Sequence, residues 1–291
     1  MKICCVIVCY RPNVPRLLQL CEALVAAGSA VVVVDNTEQP YLVAQQLPPR
    51  CELIIQRRNS GIAHAQNVGT GAAMRAGADV IVFLDQDSTI DPGFLPALVS
   101  PLRAGTPDIV SPLYRDDASK AELPAVRVNR YGMTRAVRRG ASMGPYPVDV
   151  VISSGTAATK EVFALAGTFD EGLFIDFVDT EWCLRCRSKQ ISIRVVPSAV
   201  MHHRIGSRSI SLGVMTIFVH SPIRCYYQVR NCFHLFRKQH IPFLFALRET
   251  ASVFLSRTLL LLFVQDRPAY VKAYFRALRD GARGVTGAIP C

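Results

Sequence analysis

The chain has 291 residues, half of them hydrophobic, and a formal net charge of +11. That length holds a full core plus an appendage, and the hydrophobic share excludes a disordered chain. The charge is lopsided: residues 204–291 carry 13 Lys/Arg against three Asp/Glu, a net of +10, while residues 1–203 are nearly balanced, so the basic end needs an anionic partner such as a membrane surface, a diphosphate-bearing lipid or a nucleic acid.

Ile3–Cys9 reads as a strand; as an apolar run it is too short for a signal peptide, and Arg11-Pro12 ends it. Val14–Ala27 has apolar residues at helical spacing (Leu17, Leu20, Cys21, Leu24) and stops at Gly28. Ala30–Val34 is a second strand, ended by Asp35-Asn36, and Leu53–Gln56 a third. Ala63–Ala76 is a helix closed by Gly77, and Asp79–Leu84 is a buried strand. This βαβα order argues a mostly parallel sheet with helices on both faces. The Gly-x-Gly-x-x-Gly dinucleotide fingerprint is absent after the first strand.

Residues 112–147, rich in Pro, Arg and Gly, read as a long loop or irregular hairpin, basic through Arg127, Arg130, Arg135, Arg138 and Arg139. It is equally a solvated surface loop or an acceptor-binding cover. Val148–Ile152 reads as a strand before Ser153-Ser154-Gly155-Thr156, Lys160–Ala166 as a short helix, Ile175–Arg187 as a helix or near-helix, and Ile191–Val196 as a strand ended by Pro197. Beyond His202-His203, four basic and apolar helices are expected at Ile210–Val219, Pro222–Lys238, Pro242–Val264 and Ala269–Arg283. The domain division is therefore 1–205, catalytic, and 206–291, a helical extension. The ten cysteines are scattered among apolar neighbours, as buried free thiols are, which fits a reducing cytoplasm. Cys183-x-x-Cys186 lacks the second half of a zinc site.

Chemistry concentrates in a few strings. Asp85-Gln86-Asp87-Ser88 follows a buried strand, where open α/β sheets hold ligands. Carboxylates together with phosphate oxygens are how a hard divalent cation is bound, so the pair suggests a metal–diphosphate site. Asp35-Asn36 could accept hydrogen bonds from a base or ribose, or simply start a turn. Asn59-Ser60-Gly61 opens the helix before the acidic pair, with caps, a possible anion site and a glycine that admits a close ligand. Asn67 within that helix is either solvated or turned into the cleft. Asp176 and Asp179 are spaced to share a helical face, where adjacent carboxylates raise a pKa toward general-base work. Trp182 beside them is a possible platform for a sugar ring. His202-His203 could supply a nitrogen ligand or bind diphosphate. Ile241–Val264 is apolar but interrupted by Arg248, Glu249 and Arg257, which suits an interfacial helix better than a span.

These strings, in this order, resemble glycosyltransferase family 2, inverting enzymes of the GT-A fold, and within it the bacterial rhamnosyltransferase branch. The resemblance rests on Val33-Val-Asp-Asn36, Asn59-Ser-Gly-Ile-Ala63, Phe83-Leu-Asp-Gln-Asp-Ser88, Phe174-Ile-Asp-Phe-Val-Asp-Thr-Glu-Trp-Cys-Leu-Arg185, His203-Arg-Ile-Gly206, Arg224-Cys-Tyr-Tyr227, Arg230-Asn231 and Asp280-Gly-Ala-Arg-Gly284. It implies that Asp35 contacts the base, Asp85 the ribose or diphosphate, and that Asp87 and His203 (or His202) ligate Mg²⁺ or Mn²⁺. It makes Asp179 the catalytic base, with Asp176 as the alternative and Glu181 beside it. It extends the nucleotide-sugar site to Tyr10, Arg11, Asn36, Asn59, Gly61, Asn67 and Gln86, and places Trp182, Arg224, Tyr227 and Arg230 with the acceptor. Two departures stand out: Cys9-Tyr10-Arg11-Pro12 replaces the family's common Thr or Ser, and Val178 replaces the acid before the base.

The implied activity is inverting transfer of L-rhamnose from dTDP-β-L-rhamnose to a polyprenyl-diphosphate-linked or polysaccharide acceptor in cell-surface glycan synthesis, peripheral on the inner membrane leaflet, with a homo-oligomer possible. The alternatives are another donor (galactofuranose, glucose or mannose), a silent scaffold, or a nucleic-acid-binding protein. The last leaves the acids unexplained and no recognition motif supports it.

Overall fold

The computed structural model describes residues 1–116, 121–138, 144–203, 209–211 and 216–289, with backbone alone at 203, 209–211 and 216–217. The chain opens with β1 (Ile3–Cys9), α1 (Val14–Ala26), β2 (Ala30–Asp35), β3 (Cys51–Ile55), α2 (Ile62–Arg75) and β4 (Val80–Asp85). Local signals set these bounds. Asn13 caps α1 by accepting from Arg16 N, with Pro15 in the first turn, and Gly28 at φ 89° turns the chain out. There follow β5 (Thr89–Ile90), α3 (Phe94–Val99), β6 (Asp108–Asp116), β7 (Ala125–Val128), β8 (Thr134–Val137), β9 (Tyr146–Pro147), β10 (Ala157–Thr159), α4 (Lys160–Ala166), α5 (Val178–Ser188) and β11 (Ser192–His203). The last part holds β12 (Ser209–Ser211), β13 (Thr216–Phe218), α6 (Pro222–Phe236), α7 (Phe243–Leu260) and α8 (Arg267–Arg283).

One sheet runs β3-β2-β1-β4-β10-β6-β11-β5, with β9 also on β11. The β3–β2–β1–β4 ladders and β6–β11 are parallel, while β10, β5 and β9 run against their neighbours. Alternate strand residues face opposite sides. Cys4, Val6, Ile81 and Phe83 pack in the layer that holds Trp182 and Cys186 of α5, whereas Cys5, Ile7, Val80 and Val82 pack with Leu17, Leu20 and Leu24 of α1. The result is the α/β GT-A type of architecture expected, with the C-terminal helices beside it.

Several expectations differ from what is observed. Residues 148–152 are not a strand; the pairing passes to β9 before them and β10 after them. The stretch read as a loop from 112 begins inside β6 and contains the β7–β8 hairpin, while 117–120 and 139–143, Arg139 included, lie outside the described residues. β11 does not end at Pro197: a register shift between Val196 and Val200 absorbs it, since proline has no N–H for the ladder. In place of a helix at Ile210–Val219 there is the two-stranded β12–β13 pair. α5 starts at Val178, because Phe174, Asp176 and Phe177 hold φ of 65°, 62° and 62°, left-handed values that cannot continue into a helix. Asp176 and Asp179 therefore do not share a helical face.

All nine described cysteines are free, and eight are buried. Among the described residues no helix is long and apolar enough to cross a membrane.

Candidate active site

The parallel ladders bring the ends of β1, β2 and β4 to one edge, with Cys9 level with Asp35 and Val8 level with Asp85. Antiparallel β10 delivers its leading segment to the same edge: Gly155 N donates to Phe83 O, and Ser154 Oγ accepts from Asp85 N. Here lies a cleft of about 280 Å³, lined by Tyr10, Asn36, Asn59, Gly61, Asp85, Gln86, Asp87, Phe174 and Ile175 among others. Its floor is a polar lattice. Gln86 Oε1 accepts from Tyr10 N and its amide donates to Tyr10 O, as a peptide group would. Asn36 donates to Asn59 Oδ1 and Gly61 O and accepts from Ser60 N. Arg11 N donates to Thr37 Oγ1, and the Arg11 head group lies out at Glu38.

Asp35 is fully buried beneath this lattice. Its Oδ1 accepts from Thr37 N, and its Oδ2 has no hydrogen-bond partner. Burial, then the Asp35 charge, push the Cys9 thiol upward.

Asp85 and Asp87 line the cleft. Asp179, in the first turn of α5, sits close enough to feel Asp85. Burial raises its carboxyl pKa to about 6; Ser153 backbone and side-chain hydrogen bonds oppose this, and the Asp85 and Asp176 charges add to it. The same Asp179 and Asp85 charges act on Tyr114, whose hydroxyl lies 2.5 Å from Ser154 O and whose phenol burial pushes up. The two acidic strings, about 90 residues apart in sequence, thus meet at one edge. Among the described residues no group of three or more His, Cys, Asp and Glu converges. A hard cation here would have the Asp85 and Asp87 carboxylates and would draw its remaining oxygens from ligand and water. The backbone of His203 pairs with Asp116; its side chain, with Arg204 to Gly206, lies outside the described residues.

Phe174 and Ile175 bring to the lining the turn Phe174–Phe177, in which Phe174, Asp176 and Phe177 hold positive φ. Phe174 O accepts from Ile62 N, the first amide of α2, so this helix N-terminus is already occupied by a protein group. Gly61 makes that approach possible: it stands at φ 86°, and a Cβ would lie 2.6 Å from Phe174 O. α6 holds the turn from behind. Asn231 Nδ2 donates to the carbonyls of Leu173, Ile175 and Asp176 at 2.9, 2.9 and 3.1 Å, and Arg230 Nη2 to those of Gly172 and Leu173. Arg224, half-exposed at the start of α6, grips Asp176 through Nε and Nη2 at 3.0–3.2 Å.

Several candidates do other work. Trp182 is 2% exposed, packed against Phe163 and Phe169, with its indole N–H on Gly167 O, so it offers no platform to a sugar. Glu181 is buried against Arg185, His240 and Lys238; burial alone would raise its carboxyl, but the His240 and Arg185 hydrogen bonds outweigh that and hold it at about 2. That is a structural ion cluster, and it removes Glu181 from the reacting centre. Asn67 turns neither to solvent nor into the cleft: its amide donates to Phe169 O and Glu171 Oε1 and accepts from Phe169 N. Tyr227 stacks on Phe174 at 4.5 Å and Arg230 is fully buried over both Tyr226 and Tyr227, so neither reaches an acceptor. Of the four acceptor candidates, Arg224 alone keeps an exposed head group, paired with Asp176. Ser153, Ser154 and Tyr114 went without a role in the sequence; the string Ser153-Ser154-Gly155-Thr156 was the signal, since small polar residues before a strand can come this close to a carboxylate.

A cleft at the carboxyl ends of the parallel strands β1, β2 and β4, with Asp85 and Asp87 on its lining, lies where open α/β sheets hold ligands, and the fold is of the GT-A glycosyltransferase type. Residues 4–158 match the model of "Glycosyl transferase family 2", and the chain belongs to that family. It is 37% identical over 284 residues to the dTDP-rhamnosyl transferase RfbF of Shigella flexneri, a match spanning 97% of this chain and 96% of that one. Among solved structures it is similar to S. aureus TarS 1–349 in complex with UDP-GlcNAc, at TM-score 0.56 and 14% identity, over 98% of this chain and 82% of that chain. It is also similar to GalNAc-T7 with UDP, GalNAc and Mn²⁺, at TM-score 0.55 and 15% identity, over 70% of this chain and 44% of that one.

Proposed function

We propose that this glycosyltransferase moves L-rhamnose from dTDP-β-L-rhamnose, with inversion, to a hydroxyl of a polyprenyl-diphosphate-linked glycan in cell-surface polysaccharide synthesis. What supports this reading is Asp179: burial raises its carboxyl to about 6, the Asp85 charge adds to that, and its hydrogen-bond partner Ser153 is next to Ser154, which accepts from Asp85 N. The donor follows from likeness to the Shigella flexneri dTDP-rhamnosyl transferase over nearly the whole chain.

In this reading Asp179 accepts the proton of the acceptor hydroxyl while that oxygen attacks the anomeric carbon. The bond from that carbon to the diphosphate oxygen breaks, and a β-linked donor gives an α-linkage. Asn36, Asn59, Tyr10 and Gln86 shape the nucleoside pocket, with Asp35 buried behind them as the acid assigned to the base. Arg224 meets the acceptor at the rim. Asp85 and Asp87 fit a hard divalent cation, Mg²⁺ or Mn²⁺, which when bound neutralises the leaving diphosphate. GalNAc-T7, of the same fold, carries Mn²⁺ with UDP.

The test is release of nucleoside diphosphate from dTDP-rhamnose, UDP-galactofuranose, UDP-glucose and GDP-mannose, each with and without EDTA. The expected result is turnover of dTDP-rhamnose at least about ten-fold above the others, lost with EDTA and restored by Mg²⁺ or Mn²⁺. A faster competing donor would overturn the sugar assignment, and EDTA-insensitive turnover the metal assignment.

A further inference from the structure

The C-terminal helices present an outer face that the catalytic reading does not use. α7 turns Phe245, Ala246, Arg257 and Leu260 inward. Its solvent side bears Leu244, Leu247 and Leu255, and Leu262 follows just past its end; they are 43%, 47%, 56% and 62% exposed. Their spacing keeps them on one stripe, where a helix of a soluble domain carries charged residues. Phe254 meets Tyr274 edge to face at 5.7 Å, which sets α8 alongside, and Phe275 on α8 is 66% exposed. Arg267, Lys272 and Arg283 stand exposed on α8. Of the three acids beyond residue 203, Asp280 is buried against Tyr226, Arg276 and Arg279.

This face is also tied to the start of α6. Arg257 of α7 donates to Phe218 O, and the Tyr270 hydroxyl donates to His220 O at 2.7 Å. These bonds hold the α7–α8 junction, with exposed Leu262 and Phe263, against the start of α6, where Arg224 grips Asp176. We propose that the outer face of α7 and α8 docks on an anionic lipid bilayer, with the α7 leucines in the interfacial layer and the α8 cations on lipid phosphates. An apolar stripe edged by cations complements such a surface. A second copy of the chain would bring two strongly basic regions together. The inference does not depend on which sugar is transferred.

The experiment is flotation of the full chain with vesicles of phosphatidylcholine containing phosphatidylglycerol, against phosphatidylcholine alone, at low and high salt. The wild type is expected to float with the anionic vesicles, with partitioning about ten-fold lower on neutral ones and falling as salt rises. The triple variant Leu247→Gln, Leu255→Gln, Leu262→Gln should lose binding about ten-fold, and Lys272→Gln with Arg283→Gln several-fold, while calorimetric donor binding stays unchanged. If the triple variant does not fold, the charge variant and the salt series decide. Wild type that stays off anionic vesicles, or variants that float like wild type, would overturn the proposal. A wild-type dimer that the triple variant converts to monomer, without flotation, would assign the face to a second copy instead.

Discussion

Asp179 holds its place at a cost to the fold. Its ordinary carboxyl value of 3.8 rises to about 6 in the folded chain, so between those values the folded protein binds a proton that the unfolded chain lacks. Stability falls as pH climbs through that window and stays lower above it. Asp179→Asn should therefore abolish transfer, leave donor binding in calorimetry intact, and stabilise the protein by about 1–3 kcal/mol at pH 7.5, with no gain below pH 4. In the wild type kcat/KM should rise with pH around 6; a flat profile would reject Asp179 as the base. Glu181 has the opposite sign. Its carboxyl, held at about 2, contributes stability above its ordinary value that is lost as pH falls toward 2. Glu181→Gln should cost about 3–5 kcal/mol at pH 7 by stranding Arg185, Lys238 and His240, and thermal melts at pH 3 should show a smaller gap. The acids that meet at the cleft were legible as short strings, since Asp85 and Asp87 end a buried strand. The residue types of Glu181, Trp182, Tyr227 and Arg230 did not reveal which way they point. Their direction depends on where α5 starts and on what α6 packs against, neither of which is local.

At the level of elements, the first half was readable because apolar runs of strand length alternate with helical spacing. β6 and β10 were hidden, one by Pro112 and the other by its three-residue length, yet β10 is what carries Ser153 and Ser154 to the acids. The strained turn before α5 was hidden too, since Phe174 and Phe177 are not residues that announce positive φ. α6 over-determines it: one amide, Asn231 Nδ2, serves three carbonyls. Asn231→Ala should leave those carbonyls short of donors, lower stability by about 1–3 kcal/mol and reduce kcat more than it raises the KM for donor. Denaturant melts and steady-state kinetics together check it; unchanged kcat would mean the turn holds without its clamp.

For the whole molecule, the boundary at 205 divides the sequence by composition, but α6 reaches across it with Arg224, Arg230 and Asn231. A fragment ending at 205 should not fold cooperatively, because it strands the carbonyls of 172–176 and uncovers Phe174 and Leu184; a sharp thermal transition in that fragment would contradict this. The same crossing has a mechanical side. Beyond its bulge β11, the strand that leaves the sheet toward the basic helices, is bonded to β5, with Met201 opposite Ile90 and His202 opposite Thr89, directly after Ser88. The outgoing strand and the segment that follows the carboxylate turn thus share one ladder. A nucleotide seated at Asp87 should therefore slow amide hydrogen exchange at positions 201 and 202.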